Sequence, residues 1–280
     1  MSRLSVNALG GAYLNFSQVG SGFPLVFLHG FTGNRETWRA FGASVSKYYK
    51  LVTVDLPGHG ESDSPDSSDL YTMEIHVKAL GELLDHLEFE QVAWIGYSLG
   101  GRIALGATLG MPDRSAALVL ESASPGISKL GERVQRTKDD QALANWIEEA
   151  GVTEFVNYWE ALPMWDSQNR LSELIRKRLR SQRLLNKPIG LANSLRGIGS
   201  GAQPQYYSRL GQINVPTLLL AGEEDRKFLQ VATEMDRNIS NCSLKVVSQA
   251  GHCIHLEQPV IFKELVFKFL KENLHHEAIK

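Results

Sequence analysis

Val92-Ala93-Trp94-Ile95-Gly96-Tyr97-Ser98-Leu99-Gly100-Gly101 decides the reading of this chain. A short, unbroken apolar run meets a glycine-flanked serine, and the apolar spacing over 99–109 then predicts a helix. A chain that reverses directly from a buried strand into a helix strains the residue at the turn, and Gly96 and Gly100 leave room for neighbouring backbone. Ser98 is therefore expected to project from the carboxyl edge of a sheet, as in a nucleophile elbow.

Similar apolar runs recur on both sides. Residues 25–28, 51–54, 92–95, 117–120, 217–220 and 244–247 each read as a strand buried on both faces. Residues 73–87, apolar at 73, 77, 80, 83, 84 and 87, and residues 259–274 read as amphipathic helices. Alternating strands and helices predict an α/β fold with a mostly parallel central sheet flanked by helices. Residues 5–19, with Gly10-Gly11 and Gly20-Ser21-Gly22, predict an opening antiparallel hairpin. The alternation lapses over 124–207, which holds Trp146, Trp159 and Trp165, several helical patterns and no convincing buried strand. The expected organisation is a core of residues 1–123 and 208–280 with a helical cap, 124–207, inserted in it.

Composition sets limits on function. The 280 residues are 43% hydrophobic and 21% charged, a globular balance with ample apolar surface for a core. Lys plus Arg is 29 against 31 Asp plus Glu, and a net charge of −2 offers no global field for nucleic acid or anionic membrane. The charge is uneven, however. The cap carries 12 of the 29 basic residues against 9 acids, with eight Lys or Arg facing two acids between 166 and 196. Solvated helix faces would account for this, and so would an anion-binding roof over a site; the second reading predicts a small anionic substrate. Two cysteines, Cys242 and Cys253, make no disulfide framework and suit a reducing cytoplasm. No stretch approaches a membrane span, and the first residues lack the pattern of a secretory signal. A cytoplasmic monomer or small homo-oligomer is expected.

An activated serine needs a base, and the base needs an orienting carboxylate. The runs 217–222 and 244–247 are followed by Glu223-Glu224-Asp225 and by Gly251-His252, so polar residues emerge at the sheet edge where Ser98 is expected. Asp225, furthest past its strand, is the preferred acid and His252 the base; Glu121 and His255 are the competing acid and base. His29 and His59 read as hydrogen-bond donors that shape loops. His76, His86, His275 and His276 read as helix-surface or tail residues. The backbone N–H groups of Phe31, after His29-Gly30, and of Leu99 are placed to hold an oxyanion. No dinucleotide or phosphate loop is present and no His or Cys spacing suits a metal, so neither cofactor nor metal is expected.

At these residues the sequence resembles the α/β-hydrolase superfamily over about positions 20–274. The resemblance rests on Leu28-His29-Gly30-Phe31, the run Asp55-Leu56-Pro57-Gly58-His59-Gly60-Glu61-Ser62 and the elbow. Within it, Gly96 to Arg102, Ser124-Pro125-Gly126, residues 195–203 and residues 222–228 are similar to the 2-succinyl-6-hydroxy-2,4-cyclohexadiene-1-carboxylate synthase family of menaquinone biosynthesis. That family eliminates pyruvate from a cyclohexene bearing three carboxylates, with Ser and His serving in proton abstraction. The resemblance implies substrate binding by Tyr97, Arg102, Arg136, Trp159, Arg180 and Lys227. Arginines suit this task because they grip carboxylates bidentately. The alternatives left open are a serine carboxylesterase or carbon–carbon bond hydrolase acting through an acyl-enzyme, and a ligand-binding protein without catalysis.

Overall fold

A computed structural model describes residues 2–274. Its eight strands are β1 (Ser2–Ser5), β2 (Tyr13–Val19), β3 (Pro24–Leu28), β4 (Lys50–Asp55), β5 (Val92–Tyr97), β6 (Ser115–Glu121), β7 (Thr217–Gly222) and β8 (Cys242–Val247). They form one sheet in the order β1-β2-β4-β3-β5-β6-β7-β8. β1 and β2 pair antiparallel, β2 joins β4 antiparallel, and every later pairing is parallel. The α-helices are α1 (Arg39–Val45), α2 (Met73–His86), α3 (Leu99–Gly110), α4 (Leu130–Glu160), α5 (Glu173–Leu184), α6 (Pro188–Ile198), α7 (Arg226–Asn238), α8 (Ile254–Glu257) and α9 (Pro259–Asn273).

The period of two along each strand divides the core. Val26, Leu28, Trp94, Leu118 and Leu120 face one way and pack with Leu83 of α2, Ile103 of α3 and Met235 of α7. Leu25, Phe27, Ile95, Val119 and Leu218 face the other way, against Phe41 and Val45 of α1 and Phe262 and Val266 of α9. Each fully buried large apolar side chain contributes about 1.5–3 kcal/mol, so this two-sided burial dominates the stability of the sheet. The one polar atom of Trp94 is satisfied, its indole N–H donating to Ser115 Oγ at 2.9 Å.

Two local expectations are corrected. β8 is not buried on both faces: it pairs only with β7, and Val246 is 48% exposed. His76 is not a surface residue; it is 2% exposed, on the face of α2 that also buries Met73 and Leu80. His275 and His276 lie outside the described residues.

Between β6 and β7 the described chain forms α4, α5, α6 and short 3-10 turns. Gly151 leaves helical geometry at φ 80° and divides α4 into two arms. Ile147, Phe155, Val156 and Leu191 close a small core of this segment, separate from the two flanking the sheet. No described helix is long and apolar enough to cross a membrane.

Candidate active site

Parallel strands deliver the site residues to one edge of the sheet. Ser98 follows β5 directly and caps α3 with φ 50° and ψ −109°, a conformation that costs an L-residue on the order of 1–3 kcal/mol. The surroundings hold it there. The Ser98 N–H donates to the Glu121 carbonyl at 2.9 Å. A Cβ on Gly100 would stand 2.2 Å from the Leu28 carbonyl oxygen, and one on Gly96 would stand 2.4 Å from that of Gly100. Only glycine permits this packing of the elbow against β3 and its loop.

His252 Nε2 lies 3.0 Å from Ser98 Oγ, and His252 Nδ1 lies 2.6 Å from Asp225 Oδ2. A carboxylate only accepts, so Nδ1 carries the proton and Nε2 is free to accept from the serine hydroxyl. The other carboxylate oxygen, Asp225 Oδ1, caps α7 by accepting from the Phe228 N–H at 3.3 Å. The helix thereby orients the acid, and the acid orients the base. Rings of Phe228, Tyr97 and Trp165 surround His252 at 4.6, 5.5 and 5.7 Å and keep the imidazole 2% exposed.

The expected oxyanion donors emerge side by side. β3 and β5 are neighbours in register, Leu28 opposite Gly96, and Gly30 approaches so closely that its Cβ would be 3.5 Å from Ser98 Cβ. Among the described residues, neither the Phe31 nor the Leu99 N–H has a hydrogen-bond acceptor. Leu99 is the first residue of α3, where no acceptor exists within the helix.

A chamber of about 340 Å³ opens over Ser98 and His252. Tyr97, Arg102, Arg136, Trp159 and Lys227 line it. Arg102 Nη1 donates to the Ile198 carbonyl at 2.8 Å and to Gln203 Oε1 at 3.0 Å. Burial pulls the Arg102 pKa down to about 10, Asp140 opposing and Arg136 adding to the shift, so the guanidinium stays charged at neutral pH. Burial pushes the Tyr97 hydroxyl well above its usual range, which keeps it protonated.

Two expectations about the cap fail. Arg180 does not line the chamber: it faces a separate groove, where its Nη1 donates to Glu160 Oε2 at 2.6 Å and its Nη2 to Asn157. Nor is the roof cationic. Arg183 also pairs with Glu160, Arg196 with Glu148 and Arg170 with Glu224. Arg136 is the only described cation of 124–207 that lines the chamber, and its Nε is bound to the buried Asp140 at 2.8 Å. Among the described residues, the chamber's cations without a carboxylate partner are Arg102 and Lys227, both from outside the cap. Sequence reasoning missed Asp140 and Gln203, which hold Arg136 and Arg102: the first pair is one helical turn apart in α4 and its i,i+4 spacing was a usable signal, whereas Arg102 and Gln203 lie far apart in the chain and give no local sign of pairing.

The competing acid and base meet each other. His255 Nδ1 lies 2.7 Å from Glu121 Oε2, and the His255 backbone N–H donates to Glu121 Oε1 at 2.9 Å. His29 and His59 act as loop residues: the Leu56 N–H donates to His29 Nε2 at 3.0 Å, and His59 Nδ1 lies 3.1 Å from the Pro57 carbonyl.

This sheet order, strained elbow and Ser–His–Asp chain define a class, and the sequence comparisons agree: the family model described as alpha/beta hydrolase fold matches residues 24–259. The chain belongs to the α/β-hydrolase-fold family. A Bacillus subtilis (strain 168) protein, provisionally named 2-succinyl-6-hydroxy-2,4-cyclohexadiene-1-carboxylate synthase, is 44% identical over 246 residues, covering 88% of this chain and 89% of the relative. The protein of that name from Serratia proteamaculans (strain 568) is 30% identical over 247 residues, covering 88% and 92%. The solved structure of MenH from S. aureus superposes with a TM-score of 0.89 at 37% identity, covering 94% of this chain and 99% of that one.

Proposed function

We propose that this protein is a lyase of menaquinone biosynthesis. It eliminates pyruvate from 2-succinyl-5-enolpyruvyl-6-hydroxy-3-cyclohexene-1-carboxylate to give 2-succinyl-6-hydroxy-2,4-cyclohexadiene-1-carboxylate. One observation carries the reading: a serine, histidine and aspartate in series, at 3.0 and 2.6 Å, open into a chamber that also presents Arg102. The 44% identity to a relative bearing the synthase's name supports the choice of reaction. In this reading residues 124–207 are the cap, residues 1–123 and 208–280 the core, and the enzyme works in the cytoplasm.

The chemistry needs only proton transfer and charge stabilisation by groups of the chain. His252, oriented by Asp225, takes the Ser98 proton as the serine oxygen removes the ring proton next to the succinyl carbonyl. Charge that develops on that carbonyl oxygen is met by the N–H groups of Phe31 and Leu99, each such donor contributing about 3 kcal/mol to transition-state stabilisation. The carbon–oxygen bond to the enolpyruvyl group then breaks, and the departing enol becomes pyruvate. Arg102, Lys227 and Arg136 bind carboxylates, Arg136 exchanging part of its contact with Asp140 for the substrate. Tyr97 and Trp159 shape the chamber wall.

The test offers purified protein the enolpyruvyl substrate, with pyruvate followed by a coupled dehydrogenase, beside a panel of short-chain aryl esters. Rapid pyruvate release with feeble ester cleavage supports the lyase. The opposite pattern would establish an acyl-enzyme hydrolase instead, and binding without turnover of either would establish a receptor.

A further inference from the structure

Beside the candidate site, where the Tyr97 ring contacts His255 as well as His252, lies a cluster that the proposed reaction does not use. Glu121, Cys253 and His255 each offer one metal-ligating atom, and these atoms all lie within 4.8 Å of one another. Cys253 Sγ is 3.8 Å from His255 Nδ1 and 3.5 Å from Nε2, and Nδ1 is 2.7 Å from Glu121 Oε2. The three residues are held by different parts of the fold. Glu121 ends β6, while Cys253 caps and His255 lies within α8, directly after His252. The His255 ring is fixed between Trp38 at 4.8 Å and Tyr97 at 4.9 Å.

We infer that Glu121, Cys253 and His255 form a binding site for a borderline-soft divalent cation of the zinc class. Zinc takes thiolate, imidazole and carboxylate ligands in a tetrahedron whose neighbouring ligand atoms stand roughly 3.4–3.6 Å apart. The thiol and imidazole are already near that spacing. The cation enters where Nδ1 and Glu121 now share a proton, so the Nδ1–Oε2 contact opens and the carboxylate turns toward the thiol. Charge favours the exchange: the thiol loses its proton, and the His255 ring, doubly protonated beside Glu121, loses the proton on Nδ1 and keeps the one on Nε2, so it binds as neutral imidazole. Thiolate and carboxylate then neutralise the cation in a buried site.

The fourth position is also provided. A cavity of about 40 Å³, bounded by Gly30, Thr32, Trp165, Cys253 and His255 among others, adjoins the cluster. It has room for water, which needs only about 10–15 Å³ of such space. The second carboxylate oxygen of Glu121 stays on the His255 backbone N–H at 2.9 Å, an outer contact of the kind that orients metal ligands. A cation here ties the β6 end, whose Glu121 carbonyl receives the Ser98 N–H, to α8, directly after His252. It therefore stiffens the site from beside it without touching substrate.

The chain's two cysteines make the test decisive. Metal-free full-length protein is titrated with Co²⁺ and followed by near-ultraviolet and visible absorption. Expected are a thiolate-to-cobalt charge-transfer band saturating at one equivalent, the strong visible bands of four-coordinate cobalt, displacement by Zn²⁺ and a raised melting temperature. The band persists in Cys242→Ser and vanishes in Cys253→Ser, and Glu121→Gln weakens binding on the order of tenfold or more. A folded wild-type protein that gives no thiolate band overturns the site. So does a band that disappears with Cys242; because only two thiols exist, Cys242→Ser alone decides the matter if Cys253→Ser fails to fold. Pyruvate release plays no part in these readouts, so their failure is separable from failure of the proposed reaction.

Discussion

Arg102 meets Gln203 through a 3.0 Å hydrogen bond from Nη1 to the side-chain oxygen, and the same nitrogen reaches the Ile198 carbonyl at 2.8 Å. Both acceptors are neutral. Gln203 is itself pinned, its amide nitrogen donating to the Ser124 carbonyl at 2.9 Å. The guanidinium is thus oriented by dipoles while its charge remains available for an anion. Gln203→Glu should convert this cradle into an ion pair and compete with substrate. The expected result is a KM for the tricarboxylate raised about 10- to 100-fold, the scale of one charge-assisted hydrogen bond, with turnover of a neutral aryl ester changed little. Steady-state kinetics on both substrates checks it, and an unchanged KM would show that Arg102 does not hold a carboxylate.

Removing the cation gives the complementary result. Arg102→Ala should lower kcat/KM for the tricarboxylate about 100-fold while a neutral ester loses far less. Arg102→Lys should recover only part of the loss, because an ammonium cannot grip a carboxylate bidentately. Equal losses on both substrates would assign Arg102 to structure alone.

Asp225 and Glu121 each contact a histidine, at 2.6 and 2.7 Å, yet only His252 reaches Ser98. Asp225→Asn should therefore lower kcat by about three to four orders of magnitude through loss of the Nδ1–H tautomer, by analogy with the serine-protease triad. Glu121→Gln should act mainly on stability, lowering the melting temperature while leaving kcat within about tenfold. Parallel measurement of turnover and thermal unfolding separates the two. A Glu121→Gln enzyme as inactive as Asp225→Asn would move the orienting acid to Glu121.

These residues also mark what the amino-acid order disclosed. The elbow was legible because strand, glycines and helix are contiguous, and Asp225 and His252 because each closely follows its own apolar run. His76 was legible too and was misread: at three after Met73 and four before Leu80 it lies on the buried stripe of α2, where its polarity outweighed its position. Arg180 was not legible. A basic amphipathic helix such as α5 gives no sign of which acid on another element, here Glu160, will claim each arginine. The charge excess of 124–207 failed for the same reason, since net charge counts residues and the chamber sees only those whose side chains turn inward. The Glu121–His255 pair spans 134 positions and shows itself only when β6 and α8 converge.

Three buried histidines make a prediction about acid. Burial is the leading cause that lowers the pKa of His29 to about 4, of His59 to about 3 and of His76 to about 4. All three are neutral in the folded protein at neutral pH, and the unfolded chain binds protons more readily, near the ordinary value of about 6.5. As pH falls below that value the unfolded state takes up protons that the folded state refuses, so stability falls by roughly 1.4 kcal/mol per pH unit for each group. The loss continues until each folded-state pKa is passed, between about 4 and 3. Chemical denaturation at a series of pH values should show stability dropping steeply from about pH 6 to 4. In His76→Asn the slope over that interval should be shallower by about one proton. An unchanged slope in that variant would mean that His76 exchanges its proton as freely in the folded protein as in the unfolded chain.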